Sequence, residues 1–357
     1  MNDRERFQAW MHYRDADRAP FYEWLGYWSE TINRWRAEGL PIGVSVNDYF
    51  NFDKKEAIPI DLGPIPRFIR RTLEENERYE IFIDWSGITM KRLKTSTSMP
   101  LFIDFPVKNK KDWEVIKERF NPDDVRRLPL TWSRELFEYY STTDRVVYLS
   151  LTGFFGYARN LMGLNRLLVA FYREPDLVAD IMDFWAEFLL KILEKVLNNI
   201  KPDYVTIWED MCYRSGPLIS PKLFEEFMLP NYKKVTSFIR SKGVDIIMVD
   251  TDGNHIPITD LFIEGGVNCL YPLEVAAGVN AVKLREEYGR KLLLIGNVDK
   301  RALILGNKAV DREIERIKPL LEEKGYIVSV DHCVPADVSF QNYMYYIKRV
   351  KKMIQEV

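Results

Sequence analysis

The feature that most constrains the fold is a regular alternation of apolar, strand-like runs with longer amphipathic segments in the second half of the chain. The runs are rich in branched and aromatic residues, which is typical of strands covered on both faces. They lie at 145–151, 204–208, 245–249, 267–271, 291–295 and 326–330. Repeated strand–helix units of this kind predict a parallel sheet with helices packed outside it.

Two further strands are expected in the first half of the chain. Ala19-Pro-Phe-Tyr supplies one, and either Ile81-Phe-Ile or Ile88-Thr-Met supplies the other, which brings the number to eight. Eight such units predict an α/β fold of the (β/α)8 TIM-barrel type, closed by pairing of the first and last strands. A doubly wound open sheet is the competing architecture.

We expect one domain over residues 1–357. Residues 141–350 carry the regular strand–helix repeats, whereas residues 1–140 are less regular and rich in Trp, Tyr, Arg and Asp. This N-terminal part is predicted to roof the mouth of the barrel.

Composition excludes several classes of protein. The formal net charge is -2 and the basic residues are dispersed, so neither nucleic acid nor an anionic membrane is an expected partner. The N-terminus lacks an apolar signal-peptide core, and no uncharged run approaches the ~20 residues needed to cross a bilayer, so a cytoplasmic location is expected. Cys212, Cys269 and Cys333 lie far apart, which indicates reduced thiols rather than a disulfide framework.

Polar side chains follow five successive predicted strands. In a TIM-type barrel the loops after the strands build the active site, so these residues are expected to share one pocket. They include Glu209, Asp210, Asp250, Asp252, Asn254, Glu274, Asn297, Asp299 and His332. Asp250 and Asp252 have the same side-chain parity at the end of one strand, and two such acids need a cation, a shared proton or a substrate hydrogen bond.

We predict His332, Asp250, Asp252 and Glu209 as catalytic residues. The substrate-binding candidates are Arg159, which follows the 145–151 strand and suits an anionic group, together with Tyr157, Trp208, Asn254 and Asn297.

Each of these residues also has a structural interpretation. Glu209 suits a helix N-terminus, and Glu274 suits a cap. The Asp252-Gly-Asn254 segment suits a simple turn. His332 suits a structural hydrogen bond, and Arg159 suits the surface.

Several motifs, taken in order, resemble the uroporphyrinogen decarboxylase superfamily, which also contains the cobamide-dependent methyltransferases. They are Asp250-Thr-Asp-Gly-Asn254, Pro272-Leu-Glu-Val275, Gly296-Asn-Val-Asp-Lys300 and Asp331-His-Cys-Val-Pro-Ala-Asp-Val-Ser339. The similarity covers residues 145–350 well and the N-terminal part loosely. It implies a (β/α)8 barrel.

The two branches of the superfamily differ in chemistry. The decarboxylases carry an N-terminal arginine motif of the type RQAGR, which binds the substrate carboxylates without a cofactor; here the corresponding stretch begins at Arg18 and contains Glu23 and Trp24 instead. Bidentate guanidinium pairing is not replaced by Glu, so this departure argues against decarboxylation of a tetrapyrrole. His332 and Gly296-Asn-Val-Asp299 nevertheless match the pattern of that branch.

The methyltransferase branch carries an HxCGN zinc motif and a later Cys. By the resemblance, Asp250 and Asp252 fall at its His and Cys, and His332 falls near the final Cys. This implies that Asp250, Asp252 and His332, with Glu274 or Glu209 as a fourth ligand, hold Zn²⁺ or another divalent metal such as Mn²⁺ or Fe²⁺. A thiol bound to such a metal would be activated as a thiolate. Alternatively, no metal is bound, the two acids recognise a substrate hydroxyl or amine, and His332 is the general acid or base.

The favoured function is methyl transfer to or from a corrinoid that a separate partner protein carries, with a small-molecule methyl donor. Cofactor-free decarboxylation of a tetrapyrrole is the first alternative. A non-catalytic barrel that binds a corrinoid or a partner protein is the second. The superfamily often pairs as homodimers, so a homodimer is also expected.

Overall fold

The computed structural model describes residues 1–95 and 99–357. The helices are α1 (Asp3–Met11), α2 (Ser29–Ala37), α3 (Val46–Phe50), α4 (Lys110–Lys117), α5 (Arg134–Thr142), α6 (Phe154–Met162), α7 (Leu164–Arg173), α8 (Pro175–Leu197), α9 (Pro221–Leu223), α10 (Leu229–Ser241), α11 (Thr259–Glu264), α12 (Ala281–Tyr288), α13 (Lys300–Leu305), α14 (Asn307–Glu322) and α15 (Phe340–Ile354). The strands are β1 (Lys55–Ala57), β2 (Arg71–Glu75), β3 (Tyr79–Ile83), β4 (Thr89–Leu93), β5 (Leu101–Asp104), β6 (Val146–Thr152), β7 (Tyr204–Trp208), β8 (Cys212–Tyr213), β9 (Gly216–Pro217), β10 (Ile247–Asp250), β11 (Cys269–Tyr271), β12 (Leu293–Ile295) and β13 (Tyr326–Ile327).

A curled parallel sheet of seven strands organises the molecule, in the order β1-β6-β7-β10-β11-β12-β13. Its order follows the chain, and helices connect successive strands from β6 onward. The six strands predicted in the second half are therefore confirmed, with ends shifted by a few residues. A doubly wound sheet would reverse its strand order, which this sheet does not do.

The two faces of this sheet bury different side chains. In β6, Val147, Leu149 and Leu151 are buried towards the surrounding helices. The alternate residues, such as Tyr148, point to the opposite side, which is the inner side of the curled sheet. Tyr148 pairs with Tyr204 of β7, so Tyr204 lies on the same inner side. The inner side of β6 is partly open, since Ser150 is exposed, whereas β7 is buried on both faces and reads as an almost continuous apolar run.

Closure of the sheet differs from the prediction. No pairing between β1 and β13 occurs in the described part of the chain, and Ala19-Pro-Phe-Tyr does not form a strand. This segment instead lies extended between the two edges. The Asp53 amide donates to the Phe21 carbonyl at 2.9 Å, and the Trp24 amide donates to Ser329 Oγ at 2.9 Å. Pro20 has no backbone N–H, which reduces the capacity of the segment for a regular ladder.

The assignment of Ile81-Phe-Ile or Ile88-Thr-Met to the barrel is wrong. Ile81 lies in β3 and Ile88 directly precedes β4, and both strands belong to a separate four-stranded antiparallel sheet, β2-β3-β4-β5. Burial alternates along β3, as expected for an antiparallel strand with one solvated face. The parallel strand that sequence reasoning missed is β1, which has only three residues and begins with Lys55.

The helices form the outer layer. The long amphipathic α8 buries Trp185 and a stripe of aliphatic side chains against the sheet and the neighbouring helices. Among the described residues, no helix is long and apolar enough to span a membrane.

Candidate active site at the barrel mouth

The carboxyl ends of three neighbouring strands meet at the proposed mouth. Asp250 is the last residue of β10 and pairs with Trp208 on one side and Tyr271 on the other. The chain then turns at Asp252-Gly-Asn254. A Cβ atom at Gly253 would lie 2.7 Å from the Tyr213 carbonyl oxygen, and Gly253 has a φ of +78°, so only glycine suits this turn.

Asp252, Glu274 and His332 converge at this edge. One ligand atom from each lies within 4.8 Å of the other two. His332 Nε2 is 3.4 Å from Asp252 Oδ2, and Glu274 Oε1 accepts a 3.4 Å hydrogen bond from the Gly253 amide. Because it can hydrogen-bond to Asp252 and to Cys333, the imidazole of His332 has its pKa raised to about 10.

A cavity of about 330 Å³ lies beside this acid–histidine cluster. Its walls include Asp252 and Glu274, with Asp210, Tyr213 and Arg214 opposite. The cavity is large enough for a small molecule and opens to solvent.

Asp250 lies outside the acid–histidine cluster in the described structure, although the sequence places it with Asp252. Burial of its carboxyl, reinforced by the negative charges of Asp252 and Asp210, raises the pKa of Asp250 to about 8. Burial thus favours the protonated form of the Asp250 carboxyl.

Glu209 has a structural environment. It is fully buried, accepts 2.9 Å hydrogen bonds from the amides of Phe154 and Gly156, and accepts a 2.6 Å bond from the Tyr232 hydroxyl. Burial raises the pKa of Glu209 to about 7. The Glu209 carboxylate thus caps the first turn of α6. This helix follows β6, whereas Glu209 follows β7, so the capped helix is not the one next in sequence to Glu209.

Arg159 lies close to the mouth but is already paired. Its guanidinium donates to the Asp210 carbonyl at 2.7 Å and to Asp210 Oδ2 at 2.8 Å, and it stacks 5.0 Å from the centre of the Trp208 ring. Asp210 and the Trp208 ring therefore hold the Arg159 guanidinium in place.

The other predicted substrate-binding residues make internal contacts. Tyr157 stacks on Trp185 with ring centres 3.8 Å apart and is buried in the core. Asn254 Oδ1 accepts from the Ile256 amide within the turn. Asn297 is fully buried and its amide group donates to the Leu273 and Val279 carbonyls. Tyr157 and Asn297 therefore have no surface to offer to a substrate.

Sequence reasoning missed Lys55. This residue lies on the inner side of the sheet, and burial lowers the pKa of its ammonium group to about 8, against the opposing effect of the Glu23 and Asp250 charges. Its surroundings, Asp-Lys-Lys-Glu, look like a solvated stretch, and no motif marks it. The only available signal was the short apolar continuation Ala57-Ile-Pro-Ile60.

Comparison with known proteins settles the family. The family model for uroporphyrinogen decarboxylase (URO-D) matches residues 98–353. The chain belongs to the uroporphyrinogen decarboxylase family. This confirms the resemblance that the strand-end motifs indicated.

A curated member of the URO-D family is a distant relative of this chain. A uroporphyrinogen decarboxylase from Rickettsia bellii (strain RML369-C) is 20% identical over 183 residues, which are 51% of this chain and 51% of that protein. The chain thus spans about half the length of the curated relative that it matches.

Among solved structures, a methyltransferase from Methanosarcina mazei has a TM-score of 0.60 at 15% identity, with 100% of this chain and 99% of that chain covered. A B12-independent methionine synthase from Shewanella sp. W3-18-1 in complex with selenomethionine has a TM-score of 0.42 at 10% identity over 94% of each chain. The first similarity supports a shared URO-D-type fold over the whole chain.

Proposed function

We propose that this URO-D family protein is a methyltransferase in which Asp252, Glu274 and His332 hold a divalent metal at the barrel mouth. The observation that carries the proposal is the convergence of two carboxylates and one imidazole within 4.8 Å, beside a cavity of about 330 Å³. Membership of the family makes an enzyme the expectation, and the acid–histidine cluster at the mouth favours methyl transfer among the chemistries of the family.

The chemistry of the three side chains fits a divalent ion. Two carboxylates and one imidazole offer hard and borderline donors, which suit Zn²⁺, Mn²⁺ or Fe²⁺ and leave coordination positions free. Of the four metal ligands predicted from the sequence, three lie together in the structure, namely Asp252, Glu274 and His332. Asp250 lies outside this group. Binding requires a neutral imidazole, so a metal would displace the proton that Asp252 now stabilises on His332.

When bound, the metal would supply Lewis acidity and would activate a thiol as a thiolate. The protein's own groups have separate tasks. Glu274 receives the amide of Gly253, which fixes the turn relative to the cluster. The protonated Asp250 carboxyl can donate a hydrogen bond to a bound substrate. Asp210 lines the cavity, and its ion pair with Arg159 holds its carboxylate in place.

The corrinoid is a further element of the proposal. A cavity of about 330 Å³ suits a small methyl donor or acceptor, whereas a corrinoid macrocycle would have to be presented from outside the mouth. We therefore propose that a separate corrinoid-carrying protein presents the corrinoid at the mouth.

Tetrapyrrole decarboxylation is less well supported by the charges. A substrate with many carboxylates needs several available guanidinium groups. Arg18 instead pairs with Asp53, and Arg159 pairs with Asp210. These two arginines are therefore already neutralised.

The test is metal content, measured by elemental analysis on protein purified without a metal-affinity tag. The variants are Asp252→Ala and His332→Ala. The control variants are Asp245→Ala and His12→Ala, because His12 and Asp245 form a second His–Asp pair, with Nε2 and Oδ2 2.7 Å apart, near the start of β10 rather than at its end. About one equivalent of metal, lost in the site variants and kept in the controls, is expected.

A second measurement follows the corrinoid. Addition of a methyl donor to the protein with a reduced corrinoid should change the corrinoid absorption spectrum, and the site variants should abolish this change. Consumption of uroporphyrinogen by protein that holds no metal would overturn the proposal in favour of decarboxylation. A stable fold without either reaction would favour a binding role.

A further inference from the structure

Lys55 lies on the inner side of the curled parallel sheet and is not part of the acid–histidine cluster. Lys55 pairs with Val146, and Ala57 pairs with Tyr148, so the Lys55 side chain shares the inner side of the sheet with Tyr148. The same register places Asp250 on this side, because Asp250 pairs with Trp208 in the strand next to β6. Lys55 and Asp250 therefore face one interior from different strands.

Aromatic rings surround the ammonium group of Lys55. Its Nζ lies 3.9 Å from the centre of the Trp24 ring, 5.9 Å from that of Tyr148 and 6.0 Å from that of Tyr22. The Trp24 ring in turn meets Tyr271 edge-on at 5.7 Å. The rings attract the cation but cannot accept its hydrogen bonds as well as oxygen does.

The hydrogen bonds of this ammonium are incomplete. An ammonium has three N–H donors, and Lys55 Nζ uses one of them, towards the Trp24 carbonyl at 3.3 Å. No carboxylate oxygen among residues 1–95 and 99–357 forms an ion pair with it within 4.0 Å. Lys55 as a whole residue is half-buried, and it lines a cavity of about 270 Å³ together with Tyr22 and Glu23.

We propose that Lys55, with the rings of Trp24 and Tyr148, forms a site for a monocarboxylate group of the substrate. This inference rests on the proposed function for the identity of the reaction, and it deepens that function by naming the substrate class: a small molecule with a carboxylate at one end. The substrate carboxylate accepts hydrogen bonds from the two unused N–H groups of Lys55. The aromatic rings pack against the carbon atoms of the substrate next to that carboxylate.

Charge selects a carboxylate over a phosphate. Burial favours the protonated form of Asp250, so Glu23 is the nearby acid whose negative charge acts on the Lys55 ammonium. A dianionic phosphate would meet stronger repulsion there and would need more donors than one lysine offers. A single negative charge is matched by the single ammonium.

The experiment titrates the full-length protein with acetate and with benzoate, at constant ionic strength, and follows the thermal midpoint of unfolding. A ligand that binds the folded state raises this midpoint in a saturable way. The variants are Lys55→Met and Lys55→Gln, which keep a long side chain without charge. Lys54→Met is the matched control, because Lys54 is the adjacent lysine and is exposed.

We expect saturable carboxylate binding in the wild type and in Lys54→Met, weakened about tenfold or more in both Lys55 variants, as for loss of a charged hydrogen bond. Equal binding in all four proteins, or no saturable shift in the wild type, would overturn the inference. A Lys55-dependent shift with inorganic phosphate that exceeds the carboxylate shift would overturn the assignment of the ligand class.

The same titration on Asp252→Ala separates this inference from the proposed function. Carboxylate binding should persist in Asp252→Ala even though its metal is lost. Binding that disappears in Asp252→Ala but persists in the Lys55 variants would place the carboxylate on the metal and refute the lysine site. Absence of metal with intact Lys55-dependent binding would refute the metal proposal alone.

Discussion

Replacement of Lys55 by Met should stabilise the protein at neutral pH, by an amount that depends on pH. Burial lowers the pKa of Lys55 from 10.5 to about 8 in the folded state. Each unit of pKa difference corresponds to ~1.4 kcal/mol between the protonation states, so the charged lysine costs the folded state about 3 kcal/mol. Methionine fills a similar volume without this cost.

The sign follows from proton binding. Between pH 8 and 10.5 the unfolded chain keeps the Lys55 proton while the folded protein loses it, so the unfolded state binds more protons and wild-type stability rises with pH. The free-energy advantage of Lys55→Met is therefore full below pH 8 and falls by ~1.4 kcal/mol per pH unit until it levels off near 10.5.

Urea unfolding at four pH values between 7 and 10.5, on the wild type, Lys55→Met and Lys54→Met, measures this difference. The change in apolar packing adds a constant that does not depend on pH, so the slope is the test. A difference between wild type and Lys55→Met that stays flat across this range, or one that Lys54→Met reproduces, would refute the argument that the ammonium is desolvated.

Three further outcomes are expected. Glu209→Ala leaves three buried donors unsatisfied and should lower the free energy of unfolding by about 3–5 kcal/mol in urea titration; a loss under ~1 kcal/mol would contradict its role in holding α6. Asn297→Ala should also destabilise, by about 2–4 kcal/mol, without changing the KM of any activity found. Burial lowers the pKa of His255 to about 4, so this residue should lower the free energy of unfolding as the pH falls from 6.5 to 4. His255→Leu should remove this pH dependence from acid unfolding curves.

The second half of the fold could be predicted from sequence because its signals are local. Strands such as β7 are buried on both faces and read as apolar runs whatever packs against them. The strand that follows Phe52 could not be predicted this way. β1 has three residues, Lys55, Glu56 and Ala57, and it is held by pairing with β6 about ninety positions later rather than by its own pattern.

The sequence predicted which residues lie near the mouth better than it predicted the contacts that their side chains make. The strand-end rule brought Asp252, Glu274 and His332 to one edge, where the structure joins them. The same rule also selected Glu209 and Asn297, because it identifies polar residues near the mouth without indicating where their side chains point. Both side chains instead form hydrogen bonds with backbone groups far away in sequence, Glu209 with the Gly156 amide and Asn297 with the Leu273 carbonyl. Such long-range hydrogen bonds leave no pattern in a single sequence.

The Asp250-Thr-Asp252-Gly-Asn254 turn explains how one family can host different chemistries. Gly253 is required because the hairpin residue Tyr213 fills the space of a side chain, and Asn254 closes the turn through the Ile256 amide. These two residues preserve the backbone, whereas Asp250 and Asp252 carry the acids of the site. Side chains at these two positions can change without refolding the turn, so hard carboxylates can stand where the resemblance has a histidine and a thiolate. The chemical character of the acid–histidine cluster can therefore change with the side chain at position 252 while the backbone of the turn stays the same.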